Sequence, residues 1–181
     1  MGKTRSMIDD VARRFIEEQH IFFVASAPLD ATGHVNLSPK GLDTFRILNP
    51  TTVAYIDFNG SGVETIAHLK ENGRIVLMFC AFQGPPNVFR LYGCGRVVEP
   101  HDAEFATLAE NFPVRDNARS IIVVDLTRVT DSCGYGVPSF KYEGEREQLH
   151  AWARKKGPEG LRDYREQKNK QSIDGLPGVS L

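Results

Sequence analysis

Cysteine is scarce in this chain: Cys80, Cys94 and Cys133 are all there is, an odd number with no Cys-x-x-Cys spacing. A disulfide framework and a structural zinc site are therefore not expected, and a reducing compartment fits. Cys80 and Cys94 fall inside apolar strand patterns and read as small buried hydrophobes. Long hydrophobic runs are also missing. The longest, 75–82, is far short of the ~20 residues that cross a bilayer. Neither sign of charge dominates, with 22 Lys and Arg against 23 Asp and Glu and a net charge of −1. No global basic field exists to hold nucleic acid or an anionic membrane. The opening MGKTRSMIDD lacks the apolar core of a secretory signal, so a cytoplasmic location is expected. Gly2 with Ser6 fits a myristoylation pattern, one that short sequences meet by chance. Walker-type GxxxxGK[ST], GxSxG and GxGxxG are all absent. His20, His34, His68, His101 and His150 are scattered without metal-site spacing, and no metal is expected.

What remains is ordinary for a globular protein: 41% hydrophobic and 25% charged residues over 181 positions, enough for one domain with a real core. Ser6-Met-Ile-Asp9 looks like a helix start of capping-box type, with Ile8, Val11, Ala12, Phe15 and Ile16 on one face. Strands are read at 21–27, 34–38, 52–58, 74–82, 88–99 and 120–130. Pro39 and Gly41 are expected to end the second strand. A short helix is read at 63–72, stopped by Gly73, and another at 101–112. Two more follow at 145–156 and 158–170, with Gly157-Pro158 between them. Six strands with mostly short connections cannot form a parallel sheet. The expected fold is mainly β (α+β): a six-stranded antiparallel split β-barrel, Greek-key-like, with peripheral helices. One domain is expected over 1–181, the barrel at about 20–131 and a helical extension at about 143–181.

Three stretches carry chemistry. In Asn59-Gly-Ser-Gly-Val-Glu-Thr65 a strand meets a helix through glycines. Helix-start amides favour an anion there, and Ser61 and Thr65 add hydroxyls. The same residues also fit a plain capping box, Ser61-x-x-Glu64, and Glu64 is no neighbour for a phosphate. In Val35-Asn-Leu-Ser-Pro-Lys-Gly41 an amine stands at a strand terminus. Lys40 there is either a point charge for a phosphate or a flavin carbonyl, or a solvated turn lysine. In Gly84-Pro-Pro-Asn-Val-Phe-Arg-Leu-Tyr92, Arg90 needs a partner if buried and none if exposed.

The order of these elements resembles the pyridoxamine-5′-phosphate-oxidase-like, FMN-binding split-barrel family. The likeness rests on Asn36-Leu-Ser-Pro-Lys-Gly41, on the strand and Gly60–Thr65 turn, on His68-Leu-Lys-Glu-Asn-Gly-Arg-Ile75, and on Phe89-Arg-Leu-Tyr-Gly-x-Gly95. It covers about residues 6–130. The ending Ser172-Ile-Asp-Gly-Leu-Pro-Gly178 resembles a branch of members that close on the same phrase. The resemblance implies a two-fold homodimer with FMN at the subunit interface. It assigns cofactor binding to Asn36, Leu37, Ser38 and Lys40, and to Tyr55, Ile56, Asp57, Ser61, Gly62 and Thr65. Asn87 and Arg90 would come from the other subunit. The oxidases proper carry Ser-Arg-Lys at the helix start, where this chain has Val63-Glu64-Thr65. The oxidases' C-terminal substrate-binding signature is also not evident, so vitamin B6 oxidation is not implied.

The expected function is that of an FMN-binding flavoprotein, an oxidoreductase of unknown substrate, with no nucleic-acid or membrane partner. Lys40 is the expected positive charge near the flavin N1/O2 edge. The alternatives are a non-catalytic flavin- or haem-binding module, for which His34 or His68 would be the axial ligand, or a deazaflavin F420-dependent reductase.

Overall fold

A computed structural model describes residues 2–180. The chain runs β1 (Thr4–Arg5), α1 (Asp10–Glu17), β2 (Phe22–Ser26), β3 (Asn36–Lys40), β4 (Phe45–Asn49), β5 (Thr52–Phe58), α2 (Glu64–Asn72), β6 (Arg74–Cys80), β7 (Val88–Val98), α3 (Phe105–Ala109), β8 (Ala118–Ser132) and α4 (Gln148–Lys168). All pairing is antiparallel, in the order β3-β2-β6-β7-β8-β5-β4, with β1 added to β8. The 15-residue β8 is the spine: it pairs with β7 along one side and β5 along the other.

The sheet curls until its ends face each other. Phe45 of β4 packs 4.9 Å from Phe79 of β6 and 5.4 Å from Phe22 of β2, measured between ring centroids. The aromatic cluster thus closes the barrel by packing where ladder hydrogen bonds do not. Between edge strand β3 and the β4–β5 side the barrel is split. Burial explains why β5 is apolar almost throughout. Val53 and Tyr55 face the barrel core, while Ala54, Ile56 and Phe58 join Val98, Phe112, Ile121 and Val123 in a second cluster outside it. Two buried faces need a continuous apolar run rather than alternation. No helix among the described residues is long and apolar enough to cross a membrane.

The antiparallel split barrel with peripheral helices matches the expectation, but there are eight strands, not six. The missed β1 has two residues, too few for any pattern. The missed β4 sits between two turns and reads as connection, yet Phe45 and Ile47 pack on the core. Pro39 does not end β3, which continues to Lys40 paired with Phe22; an edge strand tolerates proline because its outer N–H has no ladder partner. Helix α1 begins at Asp10 and is capped by Asp9, whose Oδ1 accepts from the Ala12 amide at 2.8 Å, not by Ser6. The expected helix at 101–112 contracts to Phe105–Ala109. Cys94 is exposed; only Cys80 is buried.

Gly73 and Gly157 act as read. Gly73 ends α2 in the left-handed region at φ 72° and donates to the Leu69 carbonyl at 3.1 Å. Gly157 at φ 67°, ψ 174° breaks α4 before Pro158. A Cβ at Gly73 would come 2.7 Å from Cys94 Sγ, so Gly73→Ala adds both backbone strain and a clash. The expected cost is about 1–2 kcal/mol, read as a lower urea midpoint with an unchanged slope.

Candidate functional site

Residue alternation on β5 turns Asp57 toward the barrel mouth, on the same face as Tyr55. Asp57 is 3% exposed, and a carboxylate so placed needs partners. It has two. Lys40 Nζ, from the end of β3, reaches Oδ1 at 2.7 Å and so bridges the split in the barrel. Arg119 Nε reaches Oδ2 at 2.7 Å. Burial alone would raise the pKa of Asp57; the Arg119 and Lys40 charges and their hydrogen bonds outweigh it and bring it down to about 2.

Arg119 was not read from the sequence. Asp57 pairs with Ser120 and Phe58 with Ala118, so Arg119 is the extra residue of a β-bulge. A bulge re-aims a side chain that regular alternation would send elsewhere. The available signal was a single arginine at the head of the apolar run 121–124. Its guanidinium also donates to the Gly60 carbonyl at 3.1 Å.

The Asn59–Gly62 turn leads from β5 to α2. The capping box read from Ser61 and Glu64 does not form. The N-cap is Val63, with no side-chain bond to the first-turn amides. The helix therefore begins with uncapped N–H groups and the positive end of its dipole. Asn36 Nδ2 donates to Thr65 Oγ1 at 2.8 Å, and Ser38 Oγ donates to Asn36 Oδ1 at 3.2 Å. The Thr65 oxygen accepts from Asn36, which leaves its own O–H to donate elsewhere. These groups line a cleft of about 340 Å³ with Lys40, Ile56, Gly60, Gly62, Glu64 and Arg119. The Glu64 side chain folds back over Gly62, where a Cβ would come 2.6 Å from Oε2. A second, larger cavity of about 1060 Å³ opens beyond Pro39 to Leu42, floored by aromatic side chains that include Phe82, Phe140 and Tyr142. His20 and Tyr142 stack in it at 3.7 Å between ring centroids. Lys40 borders both spaces.

The structure thus gathers Asn36, Ser38, Lys40, Ile56, Gly62 and Thr65 on one cleft, with Asp57 behind Lys40. Ser61 and Leu37 are exposed, neither lining that cleft. The Tyr55 side chain is wholly enclosed in the core beside Phe22, and burial followed by the Asp57 charge holds its hydroxyl protonated. Asn87 and Arg90 lie at the start of β7, where Arg90 donates to Ser132 Oγ at 3.2 Å; neither lines the cleft. His68 is fully enclosed with Nδ1 2.9 Å from Ser26 Oγ. His34 is paired with Asp174 at 2.6 Å. Among the described residues no three His, Cys, Asp or Glu side chains stand together as a metal site.

The depressed pKa of Asp57 makes acid the sensitive side. Its stabilisation is complete above the ordinary value of 3.8 and is lost as pH falls through about 2. Urea unfolding should show about 2 kcal/mol of stability disappearing over that window. Asp57→Asn should be less stable at neutral pH and lack that part of the acid slope.

Residues 8–133 match the family model for pyridoxamine 5′-phosphate oxidase. A pyridoxamine 5′-phosphate oxidase family protein of Aspergillus flavus, ustO, is 39% identical over 95% of this chain and 76% of its own length. Among solved structures, HupZ of Group A Streptococcus superposes with a TM-score of 0.54 at 20% identity, over 68% of this chain and 92% of that one. A Mycobacterium smegmatis FAD-binding protein superposes at 0.50 with 12% identity, over 71% of this chain and 97% of that one. At these identities the two structures speak for the fold alone. The family match over most of the barrel, with the fungal relative at nearly full coverage, places the chain in the pyridoxamine 5′-phosphate oxidase family.

Proposed function

We propose that the protein is an FMN-binding flavoprotein that acts as an oxidoreductase, with the phosphate of the cofactor seated at the start of α2. The observation that carries this reading is the uncapped helix start at the mouth of the barrel's split. Free amides, the Thr65 hydroxyl and the Arg119 guanidinium converge there on one small cleft, which is what a phosphate monoester requires. Asn36 and Ser38 along β3 offer polar partners to a ribityl chain. Lys40, held by Asp57, is a fixed positive charge where the small cleft meets the larger aromatic-floored cavity. Membership of the pyridoxamine 5′-phosphate oxidase family supports the choice of ligand class.

Bound flavin would supply the electron transfer. The chain's own work is to hold and orient it. Asp57 holds the Lys40 amine in place, and the β3 edge presents hydrogen-bonding side chains at a fixed register. The larger cavity would offer aromatic side chains to the planar ring. The small cleft, at about 340 Å³, lies near the lower end of ligand-pocket sizes. A homodimer with the flavin at the subunit interface would complete it, with Asn87 and Arg90 serving the neighbouring protomer's site. A haem reading finds less support, because His68 is enclosed and His34 is engaged by Asp174.

Extraction of the purified protein followed by mass spectrometry tests the ligand. FMN in the extract is expected; haem or a deazaflavin in its place would contradict the reading. Thr65→Val should weaken FMN binding by roughly tenfold, measured by quenching of flavin fluorescence. An unchanged affinity would remove the helix start from the site.

A further inference from the structure

The cleft residues do not by themselves carry the charge that a phosphate calls for. Lys40 and Arg119 are both engaged by Asp57, and Glu64 adds a further negative charge to the lining. A further cation comes from the C-terminal extension. On the second half of α4, Arg165 reaches the Asn59–Gly62 turn and donates to Asn59 Oδ1 at 3.3 Å, beside the cleft and not in its lining. One turn further on, Asn169 Nδ2 donates to the Gly60 carbonyl at 2.9 Å, the same oxygen that Arg119 holds at 3.1 Å. Asn169 is itself fully buried and is clamped by the returning tail: the Val179 amide donates to its carbonyl at 2.9 Å, and the Ser180 amide donates to Glu99 at 2.7 Å. The helix end is therefore fixed against the turn and is not a loose appendage.

Arg165 has no carboxylate partner among the described residues. Burial lowers its pKa, and the charges of Arg119 and Arg162 lower it further. Arg119 and Arg165 bond neighbouring residues of the turn, at the Gly60 carbonyl and at Asn59 Oδ1, with Asp57 bonded only to the first, and like charges so placed repel one another. An arrangement of this kind is favourable once an anion lies among the cations.

We propose that Arg165, delivered to the Asn59–Gly62 turn by the C-terminal helix, acts with Arg119 as the counter-charge for a phosphate monoester seated at the start of α2. The inference rests on the flavin-phosphate reading above and adds to it that the C-terminal extension is part of the binding site. Arg119 contributes from the barrel and Arg165 from the extension, so the site is complete only when α4 and the tail are docked.

The test compares FMN with riboflavin, which lacks the phosphate, on the intact protein by fluorescence quenching. Arg165→Gln should weaken FMN by about tenfold and leave riboflavin affinity as it was. The salt dependence of FMN binding should also flatten. Arg165→Lys, which keeps the charge, should retain most of the preference for FMN. Equal losses for both flavins in Arg165→Gln would mean that the residue only holds the turn in shape, and would overturn the proposal. So would a folded Arg165→Gln protein that keeps the wild-type preference for FMN. Wild-type protein that binds riboflavin as tightly as FMN would overturn the phosphate seat itself, and this proposal with it.

Discussion

A carboxylate shut away from water has to be matched by positive charge, and Asp57 imposes that condition beside the split in the barrel. Lys40 comes from an edge strand and Arg119 from a bulge in the spine strand; both meet the same carboxylate. The ion pair with Lys40 crosses a gap that no ladder hydrogen bond spans. Removing one partner of such a group leaves buried charge unmatched, which costs more than the pair contributes. The position of the split, the aim of Lys40 and the shape of the turn after β5 all follow from this one requirement.

The binding surface is built from parts that have structural reasons to be where they are. Helix α2 starts at Glu64, after a glycine-containing turn that supplies no side-chain cap. It stops at Gly73 because only glycine takes the left-handed conformation so close to Cys94. Asn36 is tied to Thr65, so the edge strand and the helix start hold one another in register across the cleft. On the far side, Asn169 and the tail fasten the turn from outside. A ligand entering here meets free donors on elements already held in place, with correspondingly little left to order.

Much of this was legible in the sequence. The alternating and apolar runs at 52–58, 74–82 and 88–99 correspond to β5, β6 and β7, and Gly73 and Gly157 mark helix ends because positive φ is cheap only for glycine. The chemistry-bearing phrases Asn36 to Lys40 and Gly60 to Thr65 do meet at one cleft. Elsewhere the physics was not local. β4 is held by packing of Phe45 against Phe22 and Phe79, contacts that no short window contains. Arg119 is aimed by a bulge set through pairing with β5. The Ser61–Glu64 capping pattern is present in the letters, yet the helix begins two residues later than that cap requires. Cys94 sits in an apolar-looking strand but on its solvent side. Arg165 lies far along the chain from the turn it touches, on a helix whose own pattern reads as surface.

The central claim is that an anionic group binds where β5 passes into α2, between the helix amides and the arginines. A crystal structure of the protein grown with FMN tests it most directly. The account predicts the phosphate within about 3 Å of the first-turn amides and the Thr65 hydroxyl, with the Arg119 guanidinium alongside. A phosphate held elsewhere, with the Asn59–Gly62 turn and Glu64 undisturbed, would contradict it.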